Sequence, residues 1–251
     1  MRNYGPSSIG IRLPETLYHG TTSNHVKSIK ESINLNACNE KADFGKGFYL
    51  TTNAIQAAKW ALRKESVHNY REGLHQDPDN TPNFVKGVVI EYNVNHQILD
   101  DLKQKNFTHQ DVEWADFIYF NRTSLSKAEV YSNRLDLSIT KDLGKFSGVG
   151  MIRIINDIID DNNEAEYDII KGPLGDGKSI FKATHIRDNT PKSDSMSYLE
   201  GIKSKSPEFS SYDQVTLHTS KALRLIEYRK VVVASELLRS GMESHIHSKG
   251  D

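Results

Sequence analysis

The spacing of hydrophobic residues along the chain predicts alternating helices and strands. The most regular helical pattern covers residues 53–70, where Ile55, Ala58, Ala61 and Leu62 share one face. Shorter helical patterns cover residues 21–32, 96–105, 108–122 and 220–226. Runs of strand-forming residues cover 17–20, 48–52, 84–94, 167–171, 214–219 and 228–234. Residues 187–211 are rich in Ser, Lys and Asp, which predicts a loop.

One residue departs from the pattern of the predicted helix 53–70. Trp60 falls on the polar face, among Gln56 and Lys64. A large aromatic ring on a polar face needs a second surface to cover it. Trp60 is therefore expected to contact a loop, a partner or a ligand.

The order of these elements favours an α+β fold in one domain. Residues 1–16 are an irregular lead-in, residues 17–240 form the domain, and residues 241–251 are a frayed tail. Residues 123–166 carry a weak pattern and are interpreted as an elaboration on the core.

Composition narrows the class of protein. The chain has 251 residues, with 37% hydrophobic and 26% charged residues, which is typical of a soluble globular protein. Its net charge of −1 leaves no bulk attraction to nucleic acid or to an anionic membrane, so such binding would need a local patch. The single cysteine, Cys38, forms no internal disulfide. With no secretory signal or membrane-spanning run, we expect a cytoplasmic protein that binds no membrane.

Residues 43–52 (DFGKGFYLTT) combine a glycine loop with a short strand. Gly45 and Gly47 suit a backbone that turns sharply or lies against a ligand. The strand presents Tyr49 on one face, and Asn53 then suits the N-cap of the next helix.

Residues 172–179 (GPLGDGKS) match the pattern of a phosphate-binding loop after a strand. Only 72 residues follow Ser179, too few for the further strand–helix units of such a fold. We therefore expect a surface glycine turn here and keep a P-loop nucleotide hydrolase as the weaker alternative. His245 and His247 are too few to hold a metal, so no metal site is expected.

Several separate stretches together resemble the ADP-ribosyltransferase superfamily. They are similar to its branch with a histidine, a tyrosine and a third polar residue on three strands, and residues 44–49 resemble the poly(ADP-ribose) polymerases. The chain also resembles a bacterial family of short transferase-like proteins over most of residues 17–230. The similar stretches are 17–21 (LYHGT), 43–52, 56–61 (QAAKWA), 114–117 with 121–122, 167–173 and 213–219.

The resemblance implies a split β-sheet with flanking helices and a site for NAD as co-substrate. It implies catalytic roles for His19, Tyr49 and Gln214, with His19 also binding the adenosine ribose. The backbone of Gly20 would hold the nicotinamide carboxamide. Tyr49 and Trp60 would enclose the nicotinamide ring. Thr21 and Lys46 would add contacts to ribose and pyrophosphate.

Two positions depart from the family pattern. Ala57 replaces a small hydroxyl residue that often binds the carboxamide. Gln214 stands where many relatives have glutamate; it can orient the ribose but is uncharged and cannot act as a base. Single ADP-ribose transfer is therefore expected, not chain growth.

By resemblance, the acceptor is a protein or an RNA, and the protein is a bacterial toxin of a toxin–antitoxin or phage-defence system, with a neutralising antitoxin as a possible partner. The alternatives kept open are a NAD-binding pseudoenzyme or interaction module and a NAD glycohydrolase.

Overall fold

The structure is a computed structural model that describes residues 10–74, 83–124, 167–175, 177–190, 195–203 and 211–247, without the side chains of 177, 178 and 241–247. The strands are β1 (Thr16–Thr22), β2 (Phe48–Leu50), β3 (Gly87–Val94), β4 (Gln104–Asn106), β5 (Ile169–Pro173), β6 (Asp213–Leu217) and β7 (Ile226–Val233). The α-helices are α1 (Val26–Glu31), α2 (Ala54–Arg71), α3 (His96–Leu99), α4 (Val112–Arg122), α5 (Gly177–Asn189), α6 (Ser195–Ile202), α7 (Ser220–Leu223) and α8 (Ala234–His247). Short 3₁₀ turns cover Ser23–His25 and Leu35–Ala37.

The strands form two sheets, so the fold is α+β. The first sheet has the order β1-β3-β7, and the second has the order β2-β6-β5-β4. Neighbouring strands are antiparallel except for β4 and β5, which are parallel. An isolated bridge between Tyr18 and Thr51 links the edge of β1 to the end of β2.

The main hydrophobic core lies between the two sheets. It takes alternate residues from both, among them Leu17, Phe48, Ile90, Val215 and Leu217. This alternation follows from the pleat of a strand, which points successive side chains to opposite faces. The two sheets thereby hold β1 and β2 in a fixed relation, and this relation positions the candidate site.

Helices cover the outer face of each sheet. α2 and α8 pack on the first sheet through residues such as Ala58, Ala61 and Ala234. α4, α5 and α6 pack against β5 in a second cluster that includes Trp114 and Ile170. No helix in the described residues is both long enough and apolar enough to cross a membrane.

The prediction for residues 53–70 is confirmed. The helix runs from Ala54 to Arg71, and the Asn53 side chain caps it by accepting the Gln56 N–H. Ala58 and Ala61 are fully buried, and Trp60 is exposed, as the helical pattern predicts.

The predicted helices over 21–32 and 96–105 are each wrong in part. Residues 21–22 continue β1 because they pair with Val88 and Gly87 of β3, so the helix starts only at Val26. The prediction over 96–105 fails after Leu99, because residues 104–106 pair with β5 as β4. Leu99 and Leu102 both enter the main core, which gave this segment a helical spacing.

The predicted loop at 187–211 is also wrong in part. α5 runs to Asn189, and α6 occupies 195–202, where Tyr198, Leu199 and Ile202 form a buried stripe. The predicted tail begins inside α8, which extends to His247 and is anchored on α2 through Leu237 and Leu238. Residues 1–9 and 125–166, which include most of the predicted elaboration, lie outside the described residues.

β1 and α2 approach each other most closely at Gly20. A Cβ atom at this position would lie 2.2 Å from the Ala57 carbonyl oxygen and 3.2 Å from the Ala61 nitrogen. Because both neighbours are helix backbone, neither can move without shifting α2. The absence of a side chain at Gly20 therefore sets the distance between the first sheet and α2.

We expect Gly20→Ala to destabilise the protein by about 2 kcal/mol or more, since overpacking at a close backbone contact typically costs 1–3 kcal/mol. Denaturant unfolding measures the change. Gly10→Ala is the matched control, because its Cβ would meet only the Gln104 Oε1 atom at 3.8 Å. An equal loss in both variants would contradict this packing.

Candidate functional site

The site is centred on the bridge that joins the two sheets. Tyr18 and Thr51 exchange two backbone hydrogen bonds, each 2.9 Å long. No further pairing between β1 and β2 occurs in the described part of the chain. Backbone groups two residues apart on a strand face the same edge. The N–H and C=O of Gly20 therefore face this edge, beyond the point where β2 stops pairing with it.

His19 is held as a neutral side chain beside this edge. Its Nδ1 atom lies 2.7 Å from the Tyr49 carbonyl oxygen, and its ring stacks on Phe48 with centroids 4.4 Å apart. A carbonyl oxygen can only accept, so Nδ1 carries the proton and Nε2 remains an acceptor. Burial and the Lys64 charge lower the pKa of His19 to about 3, against the raising effect of the Tyr49 hydrogen bond.

Lys64 contacts the same strand edge. Its Nζ donates to the Gly20 carbonyl oxygen at 3.1 Å, and burial lowers the pKa of its ammonium group. Sequence reasoning named Lys64 only as a neighbour of Trp60. The available signal was its spacing: Lys64 lies one helical turn after Trp60 and two turns after Ala57, which packs on Gly20.

The glycine loop closes around the Tyr49 hydroxyl. This hydroxyl accepts the Phe44 N–H at 2.8 Å and donates to the Gly45 carbonyl oxygen at 2.8 Å. Gly45 has a φ of 78°, a conformation that favours glycine. Burial raises the pKa of the Tyr49 hydroxyl. The loop before β2 thus fixes the ring of Tyr49 in one position.

Gln214 belongs to a buried polar cluster. Its Nε2 donates to Asp43 Oδ2 at 2.7 Å and to the Pro173 carbonyl oxygen at 3.3 Å. Asp43 Oδ1 pairs with Arg122 Nε at 2.6 Å. Asp43 and Gln214 are only 3% and 6% exposed. Because the Asp43 carboxylate only accepts, it fixes the orientation of the Gln214 amide, with Nε2 toward Asp43 and Oε1 as the acceptor end.

Sequence reasoning missed Asp43 and Arg122 as parts of the site. Asp43 stood in the sequence as the first residue of the glycine loop, and Arg122 as the last residue of a predicted helix. An acid and a base 79 positions apart gave no signal of pairing.

The three predicted catalytic residues lie on neighbouring strands. Tyr49 on β2 is opposite Thr216 on β6, which places Gln214 at the Thr51 end of the same pair of strands. His19 on β1 contacts the Tyr49 backbone. Within the described residues, no hydrogen bond joins the side chains of any two of the three. Their roles remain predictions.

The other predicted binding residues have varied surroundings. Thr21 is buried, while Lys46 Nζ lies 3.4 Å from Asn36 Oδ1 and 3.7 Å from a Glu40 carboxylate oxygen. Trp60 is 50% exposed and lies against Arg63 and Lys64. In the described residues Trp60 makes no ring stacking with Tyr49, so an enclosed nicotinamide ring would have to lie between side chains that are not in contact here.

The phosphate-loop match at 172–179 has the expected strand before it and helix after it. However, the Gly175 N–H points to Asp43 Oδ2, at 3.4 Å, so a carboxylate already faces this turn. A phosphate placed there would meet a like charge. Asp176 and the Lys178 side chain lie outside the described residues.

No metal cluster is found among the described residues. The side chains of His245 and His247 lie outside that part. Asp168 is buried and accepts hydrogen bonds from the Thr219 hydroxyl and the Lys103 N–H. It therefore fastens β5 to its neighbours instead of lining an open cleft.

A family model described as a protein of unknown function (DUF3990) matches residues 16–228. The chain belongs to this family. The match begins at β1 and includes every residue of the candidate site. No curated protein and no solved structure matches the chain.

For this DUF3990 protein, we expect Gln214→Glu to be destabilising, although glutamate is the common residue in the similar transferases. The new carboxylate would replace an amide that donates to Asp43 at 2.7 Å. The two carboxylates must then either repel each other or share a proton taken up from solvent. Protonating a glutamate at pH 7 costs about 3.7 kcal/mol, since 1.36 × (7.0 − 4.3) gives that value. This cost is the upper limit on the stability that the variant loses at pH 7. A carboxyl whose pKa rises on folding loses stability as pH increases, so the loss should shrink to about 1 kcal/mol at pH 5.

Two controls test this prediction: one changes both members of the Asp43–Gln214 pair, and the other changes a glutamine that bonds to a carbonyl and not to a carboxylate. Asp43→Asn combined with Gln214→Glu moves the charge without changing its sum, so the double variant should be more stable at pH 7 than Gln214→Glu alone. Gln110→Glu removes a similar donor to a carbonyl, that of Leu174, and should show little pH dependence. Urea unfolding at pH 5 and pH 7 decides; a Gln214→Glu protein as stable as wild type at pH 7 would be contrary to the prediction.

His19 predicts a second pH effect of opposite sign. Its pKa falls on folding, so the unfolded chain binds the proton more readily as pH drops below 6.5, and stability falls. Up to about 2 kcal/mol should be lost between pH 7 and pH 5, since 1.36 × (6.5 − 5.0) gives 2.0. His19→Asn should reduce this loss, whereas His109→Asn, at an exposed histidine, should keep it. Equal slopes for all three proteins would refute the assignment.

Proposed function

We propose that this protein is an NAD-dependent mono-ADP-ribosyltransferase with an ADP-ribosyltransferase-like fold. The observation that carries the proposal is the meeting of β1 and β2 at one bridge, with His19, Gly20 and Tyr49 at the meeting point and Gln214 on the adjacent strand. The similar transferases place their NAD site on three such strands. The backbone edge of β1 at Gly20, which β2 does not pair with, also suits a ligand bound along a strand edge.

The reaction breaks the bond between the nicotinamide nitrogen and ribose C1′, and neutral nicotinamide leaves with the bonding electrons. The ribose becomes cationic until the acceptor nucleophile attacks C1′ and gives up its proton. Acceptor groups near the ribose stabilise this positive charge and accelerate the step, whereas a cationic group there would slow it. His19 adds no positive charge to the site, since it is neutral, and it would bind a hydroxyl of the adenosine ribose through Nε2.

Gln214 would hold the ribose 2′-hydroxyl through Oε1. Its amide is uncharged, but the Asp43 carboxylate lies 2.7 Å behind it on Nε2. Hydrogen bonds in series polarise one another, so the buried carboxylate strengthens Oε1 as an acceptor. Asp43 would therefore supply, through the amide, part of the negative potential that a glutamate provides directly. Arg122 offsets some of that potential.

The strand edge of Gly20 would hold the nicotinamide carboxamide. Lys64 now donates to the Gly20 carbonyl oxygen. When the carboxamide N–H takes this acceptor, the Lys64 ammonium is released toward the NAD diphosphate, where a cation is favourable. Trp60, one turn earlier on α2, would then cover the nicotinamide ring from the side opposite Tyr49.

The acceptor is proposed to be a protein or an RNA. The cellular role suggested by the family resemblance is that of a bacterial toxin or defence protein kept inactive by a neutralising partner. The uncharged Gln214 favours one alternative, a protein that binds NAD or hydrolyses it without transfer. A P-loop hydrolase has less support, because Asp43 faces its loop.

The decisive experiment supplies NAD labelled in its adenylate phosphate together with separate protein and RNA fractions of a bacterial lysate. We expect label in one fraction, with a loss of about a hundredfold or more for Tyr49→Ala, since an oriented site contributes several kcal/mol. Free nicotinamide without labelled macromolecule would indicate NAD hydrolysis. Intact NAD in every arm would disprove the proposal.

Two controls separate catalysis from folding. Trp60→Ala removes an exposed ring and should raise KM for NAD without unfolding the protein. Tyr70→Ala removes a ring further along the same helix that is 72% exposed, and should change neither KM nor folding. Lys178→Ala should leave the activity unchanged. An inactive Lys178→Ala protein would instead support the P-loop alternative.

A further inference from the structure

The outer face of α2 carries a row of cations around one exposed aromatic ring. Trp60, Arg63, Lys64, His68 and Arg71 recur at three- and four-residue spacing and therefore share one face of the helix. Together with His25 they line a shallow cavity of about 440 Å³. We call this surface the α2 groove.

The charge of the α2 groove is positive although the chain as a whole is not. Arg63, Lys64 and Arg71 line the groove together with one acidic residue, Glu72. The remaining acid of the helix, Glu65, is turned inward, where it accepts the Gly87 N–H. Three of the four Lys and Arg residues of the helix therefore line the groove, while its carboxylate lies toward the first sheet. A local patch of this kind is what nucleic-acid binding needs in a chain of net charge −1.

Trp60 supplies the second element of such a site. Half of the side chain is exposed, and the Arg63 guanidinium and Lys64 ammonium lie 5.5 and 5.8 Å from its ring. An exposed ring flanked by cations is suited to a nucleobase stacked on the ring while its phosphates meet the cations. An acidic peptide would use the cations but not the ring.

The length of the groove favours a strand over a single nucleotide. Trp60 and Arg71 are eleven residues apart, which is about 16 Å along a helix with a rise of 1.5 Å per residue. A diphosphate reaches only the first part of this row. We propose that the α2 groove binds single-stranded nucleic acid, with a base on the exposed part of the Trp60 ring and phosphates on Arg63 and Arg71. Lys64, which donates to the Gly20 carbonyl oxygen, belongs to the proposed NAD site.

The location of the groove suggests what the bound strand is for. Its other side is lined by Thr22, the last residue of the strand that carries His19 and Gly20, and by His25, three residues later. A strand in the groove would therefore lie beside the proposed NAD site as the acceptor of ADP-ribose. This last step rests on the proposed function, whereas the binding itself does not.

Binding is measured by fluorescence anisotropy with a labelled 12-residue oligouridylate and its deoxythymidylate counterpart, without NAD, at 50 and 200 mM salt. The groove variant carries Arg63→Glu and Arg71→Glu. The matched control carries Lys182→Glu and Arg224→Glu, the same charge change at exposed positions outside the groove. We expect the groove variant to bind at least about tenfold more weakly, with a salt slope lower by about 1.4, since each phosphate contact contributes about 0.7 for single strands.

Stacking is tested separately with two variants of one residue. Trp60→Ala should weaken binding by about tenfold, and Trp60→Phe should restore most of it, since stacking depends on a ring. Stronger binding of oligouridylate than of oligodeoxythymidylate would identify RNA as the ligand, and the reverse would identify DNA. Failure of both strands to bind, or equal loss in the control variant, would overturn the inference. Equal displacement of both strands by polyglutamate, with no effect of Trp60→Ala, would assign the groove to an acidic protein instead.

Nicotinamide release from NAD, measured on the same proteins, keeps the two proposals distinct. Wild type that cleaves NAD but binds no oligonucleotide would overturn the groove and leave the transferase standing. Wild-type protein that binds the oligonucleotide but leaves NAD intact would overturn the transferase proposal and leave the groove proposal standing. If both hold, the groove variant should still release nicotinamide but transfer no label to the oligonucleotide.

Discussion

The buried carboxylate of Asp43 ties together the elements of the candidate site. A buried charge is tolerated only when it is paired and hydrogen-bonded. Asp43 meets this condition through Arg122 at the end of α4, Gln214 on β6 and the Gly175 N–H after β5. One side chain thereby connects the glycine loop before β2 to three elements that lie far apart in the sequence. The position of the loop, and with it the position of Tyr49, depends on this charge.

The second constraint is the single bridge between β1 and β2. Extended pairing of these strands would cover the backbone of Gly20, and complete separation would leave His19 without the Tyr49 carbonyl. The bridge at Tyr18 and Thr51 gives the intermediate arrangement, in which the sheets touch and then part. Asp213 reinforces it by accepting hydrogen bonds from the Thr51 and Thr52 hydroxyls and the Thr52 N–H. The bridge is thus held by its own backbone pairing and by the side chain of Asp213.

The sequence was most informative where local periodicity and burial agreed. The helix at 53–70 and the exposed Trp60 followed directly from the spacing of Ala58 and Ala61, because that face packs on a sheet. It was misleading where two leucines at helical spacing entered the core from different elements: Leu99 ends the short helix α3, and Leu102 lies in the bend before β4. It also failed at 195–202, where a strongly polar neighbourhood concealed the buried stripe of α6.

For the candidate site, the chain alone supplied the residue types and their order: a histidine and glycine on one strand, a glycine loop leading to Tyr49, and Gln214 on a late strand. These features are local, so composition and spacing record them. Pairing across the fold is not local. The packing of two sheets between helices decided that Asp43 would meet Gln214 and Arg122 and that Lys64 would reach the Gly20 carbonyl oxygen. Only that packing brings Asp43 within hydrogen-bond distance of two residues that lie 79 and 171 positions away along the chain.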